Sequence, residues 1–200
     1  MKKVSRFLVS LMVCTTVVGS SSLLEAVRLP AGKKGVPPSL VTAIRQIYAP
    51  AGLVATHIQP EGEGCEYGAC RFSLGDHHVV FRVAKTTPTK IGQFVTIWKR
   101  PRAGGPIAPL DVGDGIDFLI VKVSDGTHSG QFVFDKNVLI ARGVMSASGK
   151  GGKRAIRVYP PWSQPVAREA VKTKEWQAPY FFPIAGDGTA NTDRVRRLFD

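Results

Sequence analysis

The sequence predicts a mixed α/β domain of the α+β type, in which strands dominate and helices lie near its two ends. Its 200 residues fit one globular domain with little room for a second. Hydrophobic residues make up 44% of the chain, which excludes a wholly disordered protein and a multi-span membrane protein. The 21 Gly and 14 Pro fall mostly between short apolar runs, as turn residues do between strands. We therefore expect a single domain with a central mixed sheet flanked by a few helices.

The first predicted element is a helix over residues 38–48, because Leu40, Ile44 and Ile47 recur at helical spacing and Ser39 suits the N-cap. Period-two patterns then predict strands, two of which form a hairpin with its turn at Gly75-Asp76. The expected strands cover residues 53–59, 69–74, 78–85, 93–98, 118–123, 130–134 and 155–159. A second helix is expected over 169–175.

The chain divides into a signal-like or disordered extension and linker over 1–37, the domain over 38–185, and a polar tail over 186–200 that we expect to fray. Residues 1–22 combine a basic start, an apolar run and small serines, as secretory signals do. The alternative is an upstream extension ahead of a cytosolic domain. The apolar run is too short to span a bilayer unaided, so we expect no integral membrane domain.

The charge is strongly basic and unevenly distributed. The 27 Lys and Arg against 15 Asp and Glu give a net charge of +12, which makes polyanions the first partners to consider. Residues 77–110 hold six basic residues and residues 136–168 hold seven, and neither stretch contains an acid. We predict that the two stretches converge as one basic face; the alternative is two separate solvated loops.

The two acid-free stretches also carry the candidate site. KTTPTK, residues 85–90, combines lysines, hydroxyls and turn N–H groups, which suit phosphate. The second stretch places aromatic residues beside its cations, which suits unstacked bases of single strands. The repeated GQFV of residues 92–95 and 130–133 either presents a Gln beside this surface twice or is a chance similarity. The candidate nucleic-acid-binding residues are Arg82, Lys85, Thr87, Thr89, Lys90, Gln93, Lys99, Arg100, Gln131, Lys136, Lys153, Arg154, Arg157, Tyr159 and Trp162.

Other motifs with chemical potential are weak. An odd count of three Cys argues against a disulfide scaffold. Cys65 and Cys70 form either a local bridge or, as we expect, a loop thiol and a buried strand thiol. Asp111, Asp114 and Asp117 lie in a Gly-rich loop without the EF-hand pattern, which is more typical of a solvated turn than of a metal site.

Four blocks of sequence carry a family resemblance. EYGACRFSL, VVFRVAKTTPTKIGQFVTIWKR, SGQFVFDK and GKRAIRVYPPW occur in order over residues 66–162 and resemble the MepB family. The resemblance implies a small bacterial protein of the cytoplasm, a fold related to restriction endonucleases, and binding of DNA or RNA. The signal-like start departs from that pattern, and secretion is the alternative if residues 1–22 are a genuine signal peptide.

Nuclease chemistry is the main alternative to plain binding. Endonucleases of the implied class hold a divalent metal with an acid before one strand and an acid-x-Lys signature on the next. Glu66 and Lys85 are the weak catalytic candidates, but Val83 occupies the position of the second acid. Hard cations such as Mg²⁺ need several oxygen ligands, and one carboxylate beside cations is a poor site for them. We therefore expect these residues to bind phosphate without a cofactor, and Mg²⁺ to bind only if the nuclease alternative holds. A basic exported or surface-associated protein is the third hypothesis, and the oligomeric state stays open.

Overall fold

A computed structural model describes residues 35–200, so the signal-like segment and most of the linker lie outside the described residues. In the described part the strands are β1 (Ala55–Pro60), β2 (Cys70–Leu74), β3 (His77–Val83), β4 (Lys85–Thr87), β5 (Lys90–Thr96), β6 (Phe118–Ser124), β7 (Ser129–Asp135), β8 (Ala155–Val158) and β9 (Phe181–Ile184). The α-helices are α1 (Pro38–Ala43), α2 (Lys136–Ala141), α3 (Arg168–Gln177) and α4 (Thr192–Arg196). No helix within residues 35–200 is both long and apolar enough to cross a membrane.

The central sheet has six strands in the order β1-β2-β3-β6-β7-β9. Its neighbours pair antiparallel except β3 and β6, which run parallel with Val79 opposite Phe118. A parallel pair needs a crossover connection, and the chain between these two strands contains β4 and β5. The expected mixed sheet within a single α+β domain is therefore confirmed, and so is the hairpin of β2 and β3.

The small sheet has three antiparallel strands in the order β4-β5-β8. Val95, Ile156 and Val158 point to its inner side and are buried against residues of the central sheet such as Val121. The alternate positions along β5 and β8 are half-buried. The small sheet is thus an outer layer that has one covered side and one accessible side.

The other side of the central sheet is covered by α1, by a π-helical turn (Ile44–Tyr48) that continues it, and by the C-terminal residues. The expected helix is therefore present in two parts. Pro37, rather than Ser39, is its N-cap. A proline side chain has no hydrogen-bond acceptor, so no side chain caps the helix, and Pro38 occupies the first helical position, where its missing N–H is tolerated.

The C-terminal tail differs from the expectation of fraying. Residues 192–196 form α4, and Val195 and Phe199 are buried in the same core as Tyr48. Asn191 caps this helix by accepting a hydrogen bond from the Arg194 backbone N–H. The Gly- and Asp-rich composition of residues 186–193 suggested fraying, but Val195 and Phe199 lie four residues apart, at helical spacing, and their burial holds the tail against the core.

Candidate functional site

The accessible side of the small sheet carries a row of cations and aromatic rings. Lys85 on β4 lies opposite Phe94 on β5, and Phe94 lies opposite Arg157 on β8. Directly opposed residues of a sheet project to the same side, so these three side chains form one row. The row places a ring between two positive charges.

Tyr67 extends this row from a neighbouring loop. The Lys85 Nζ lies 4.4 Å from the centroid of the Tyr67 ring, and the Tyr67 and Phe94 ring centroids lie 6.3 Å apart in an edge-on arrangement. The Arg157 guanidinium lies 5.9 Å from the Phe94 centroid. These spacings fall within the range of cation–π and aromatic contacts. Trp98 continues the alternation beyond β5, because Gln93, Val95 and Ile97 are buried while Phe94, Thr96 and Trp98 are half-buried. We call Tyr67, Lys85, Phe94, Trp98 and Arg157 the cation–aromatic face.

Arg157 also fixes the shape of the β4–β5 turn. Its guanidinium donates to the Thr87 hydroxyl at 3.0 Å and to the carbonyl oxygens of Lys90 at 3.2 Å and Gly92 at 3.0 Å. Gly92 has a φ of +81°, and a Cβ atom there would lie 2.7 Å from the Tyr159 ring, so only glycine fits. The turn that holds Thr89 and Lys90 is thereby tied to β8.

Exposed cations lie at both ends of the cation–aromatic face. Lys90 is exposed at one end of β5, and Lys153 and Arg154 are exposed at the other, where the Ile97 N–H donates to the Arg154 carbonyl. Trp98 follows that end, with the Arg100 guanidinium 5.7 Å from its ring. The length of β5 separates the two ends by about 20 Å. That length suits an extended strand of a few nucleotides.

Two exposed carboxylates neutralise part of this charge. Glu66 accepts from Lys85 at 3.0 Å, and Glu63 accepts from the Arg100 Nε at 2.6 Å. The Glu66 side chain is 69% exposed and that of Lys85 is 41% exposed. Exposed ion pairs of this kind contribute little to stability. An incoming phosphate can therefore displace Glu66 as the partner of Lys85 at a small cost in free energy.

Arg82 does not lie on the exposed surface, contrary to its prediction as a binding residue. It is 3% exposed on β3, where its guanidinium donates to the Phe81 carbonyl and pairs with Glu61 at 2.5 Å. The same carboxylate accepts from Arg71 at 2.7 Å. Burial lowers the pKa of Arg82, and Glu61 opposes that shift. The pair is structural because β3 lies inside the central sheet.

The two glutamines of the repeated motif are also buried rather than presented at the surface. Gln93 donates to the Ser124 carbonyl at 2.6 Å and to the Thr86 hydroxyl at 3.3 Å, on the covered side of the small sheet. Gln131 is fully buried in β7 and accepts from the Tyr48 hydroxyl at 2.5 Å. Neither amide is available to nucleic acid on the cation–aromatic face.

Three further predicted residues lie away from the face. Lys99 pairs with Asp114, both largely buried, and Lys136 donates to the Val112 carbonyl at 2.9 Å. Trp162 stacks on His128 with ring centroids 5.2 Å apart and packs against the core. Each of these side chains already has a structural partner, which sequence spacing does not reveal.

The remaining motifs are structural. Cys65 is exposed and Cys70 is buried, and both are free, as expected of a loop thiol and a strand thiol. Asp111 accepts from the Ser146 hydroxyl and from backbone N–H groups, and these bonds lower its pKa to about 2. Within residues 35–200, no three His, Cys, Asp or Glu side chains converge as metal ligands do.

Tyr67 and Phe94 are the residues that the sequence prediction missed. The strand alternation contains the signal for Phe94, because it points away from its neighbours Gln93 and Val95, both of which are buried. Tyr67 has no comparable signal, since it lies in a 3₁₀ turn (Cys65–Tyr67) whose position against β4 and β5 is a tertiary feature.

Comparisons with known proteins cover the same part of the chain. The sequence matches the MepB-like family over residues 61–183, which include every residue of the cation–aromatic face. A solved structure described as the crystal structure of MepB is similar, with a TM-score of 0.61 and 32% sequence identity. The similarity covers 64% of this chain and 86% of that chain. No curated protein matches the sequence.

Proposed function

The chain belongs to the MepB-like family, and from that premise we propose that it binds single-stranded nucleic acid on the cation–aromatic face without cleaving it. The observation that carries the proposal is the row of Lys85, Phe94 and Arg157 across three strands, with Tyr67 beside it. Rings stack on unpaired bases of any sequence, and flanking cations bind the phosphates.

The geometry favours single strands over a duplex. Bases reach a ring only when they are unstacked from their neighbours, and the sheet offers its rings on an open surface. Lys90, exposed at one end of β5, and Arg154, exposed beside its other end, offer further cations for phosphates. Such contacts position a strand without reading its sequence, so we expect little base preference.

The residues present give weak support to cleavage. Glu66 and Lys85 do meet, at 3.0 Å, but Val83 replaces the second acid and Glu61 is held between two arginines. One exposed carboxylate paired with a lysine is a poor ligand set for a hard divalent cation. We therefore assign Lys85 to phosphate binding.

The test is fluorescence anisotropy of a labelled single-stranded oligonucleotide across a range of salt concentrations. Affinity should fall steeply with salt, because phosphate contacts release counterions. Lys85→Glu and Lys90→Glu should each weaken binding and reduce the salt slope by about one unit.

Arg45→Glu is the matched control. It makes the same charge change at an exposed position of the π-helical turn, which covers the opposite side of the central sheet. Equal losses in all three variants would show that only net charge matters and would contradict a localised site. Cleavage of the oligonucleotide with added Mg²⁺ or Mn²⁺ would instead favour the nuclease alternative.

A further inference from the structure

A cleft lies on the side of the central sheet that faces away from the small sheet, between α1 and the ends of β6 and β7. A cleft of about 410 Å³ opens there, closed on its third side by the chain that follows β9. Its lining combines an apolar part with a polar part. The apolar part includes Ala43, Ile47 and Ile184, and the polar part includes Lys122, Ser129 and Gln131.

Lys122 brings a positive charge into this cleft without a counter-ion. The half-buried ammonium donates to the Ser129 hydroxyl and to the Val123 carbonyl at 3.1 Å. No carboxylate within residues 35–200 pairs with it. Burial accordingly lowers its pKa, with no opposing contribution from an acid. A cation removed from water in this way is stabilised by any anion that reaches it.

Gln131 adds an unused donor at the floor of the same cleft. Lys122 and Gln131 are directly opposed in the β6–β7 register, so their side chains lie next to each other. The Gln131 Oε1 accepts from the Tyr48 hydroxyl, which leaves the amide NH₂ at the other end. That Nε2 is buried and has no hydrogen-bond partner. A buried donor without a partner is costly and is uncommon in folded proteins.

The π-helical turn that borders the cleft contacts Gln131 through Tyr48. Tyr48 is the last residue of the π-helical turn, and Ile47 of the same turn lines the cleft. π-Helical turns are rare and are frequent at functional sites. The Tyr48 hydroxyl and the side chain of Gln131 are both fully buried, so the orientation of the amide is fixed by packing.

We propose that this cleft binds a small organic monocarboxylate, with its oxygens on the Lys122 ammonium and the Gln131 amide and its apolar part against Ala43, Ile47 and Ile184. One ammonium matches one negative charge, which favours a carboxylate over a phosphate dianion. The site is independent of nucleic-acid binding, because it opens on the opposite side of the central sheet.

The test measures the melting temperature of the full chain against sodium benzoate, acetate and phosphate at constant ionic strength. A ligand that binds only the folded state raises the melting temperature saturably. Benzoate should raise it by roughly 5–10 °C at a hundredfold excess over its Kd. Acetate, which lacks the apolar part, should require higher concentrations, and phosphate should have no saturable effect.

Two variants and one control locate the response. Lys122→Met should weaken benzoate binding at least tenfold, whereas Lys172→Met, at an exposed position of α3, should leave it unchanged. Gln131→Glu supplies a carboxylate beside Lys122 and should abolish the response to benzoate while the protein stays folded. This variant keeps the test decisive if Lys122→Met fails to fold. A response that survives in Gln131→Glu, a saturable response to phosphate alone, or no saturable response to benzoate would each overturn the proposal.

Discussion

The same four residues, Gly-Gln-Phe-Val, occur in β5 and in β7 and lie in two different environments. In β7 the phenylalanine, Phe132, is fully buried, with its ring centroid 5.4 Å from that of Phe134 and 5.0 Å from that of Phe181. In β5 the phenylalanine, Phe94, is half-buried beside Tyr67. Both strands bury their glutamine. The tetrapeptide thus sets the alternation of a strand, whereas the layer that contains the strand decides whether its second side is covered.

The same distinction separates the basic residues. Arg82 lies on β3, inside the central sheet, where its guanidinium pairs with Glu61 and donates to a backbone carbonyl. Arg157 lies on β8 of the outer sheet, where its guanidinium reaches the accessible side. Of these two arginines, only the one on the sheet with an accessible side is available to a nucleic-acid partner.

The largest expected effect is on stability. Phe132→Ala should lower the free energy of unfolding by about 3–5 kcal/mol, because it empties a closed aromatic cluster. Phe94→Ala should cost about 1 kcal/mol, since its ring is already partly in water. Urea denaturation of the two variants measures both values. Equal losses would mean that the two strands are buried alike.

A pair of glutamates gives a smaller contrast. Glu61→Ala leaves the buried Arg82 guanidinium without its partner and should cost about 3 kcal/mol of unfolding free energy. Glu66→Ala removes an exposed pair with Lys85 and should change stability by less than about 0.5 kcal/mol. Chemical denaturation again supplies the numbers. A comparable loss from Glu66→Ala would show that this carboxylate has a structural role.

The smallest effect is a gain in affinity. Glu66→Gln removes the carboxylate that competes with phosphate for Lys85, so binding of a single-stranded oligonucleotide should tighten by about two- to fivefold. Asp76→Asn is the control, because it makes the same charge change at an exposed residue of the β2–β3 turn. Anisotropy titrations at low salt measure both. An identical gain from the control would indicate long-range charge alone.

The sequence was sufficient for the hairpin, the mixed sheet and part of the candidate site. Alternation and turn residues predicted β2 and β3 closely. Charge patterning predicted that the two basic stretches converge, and Lys85, Lys90 and Arg157 do lie on strands of one sheet, with Arg154 directly before β8. That they bind nucleic acid stays a prediction.

The errors have a common physical origin. Whether Arg82 is exposed, whether Tyr67 reaches β4 and whether Phe199 anchors the tail all depend on contacts between residues distant in sequence. Local pattern contains no information on such contacts. The residues predicted best are those whose neighbours along the chain already determine their environment.

Photocrosslinking identifies which aromatic rings of the protein contact the bases of a bound strand. The protein would be irradiated with a single-stranded oligonucleotide that carries 5-iodouracil, and the crosslinked residues would be identified by mass spectrometry. We expect crosslinks at Tyr67, Phe94 or Trp98, which Phe94→Ala and Tyr67→Ala should reduce in step with affinity. Crosslinks confined to rings elsewhere, such as Trp162 or Trp176, would contradict binding on the cation–aromatic face.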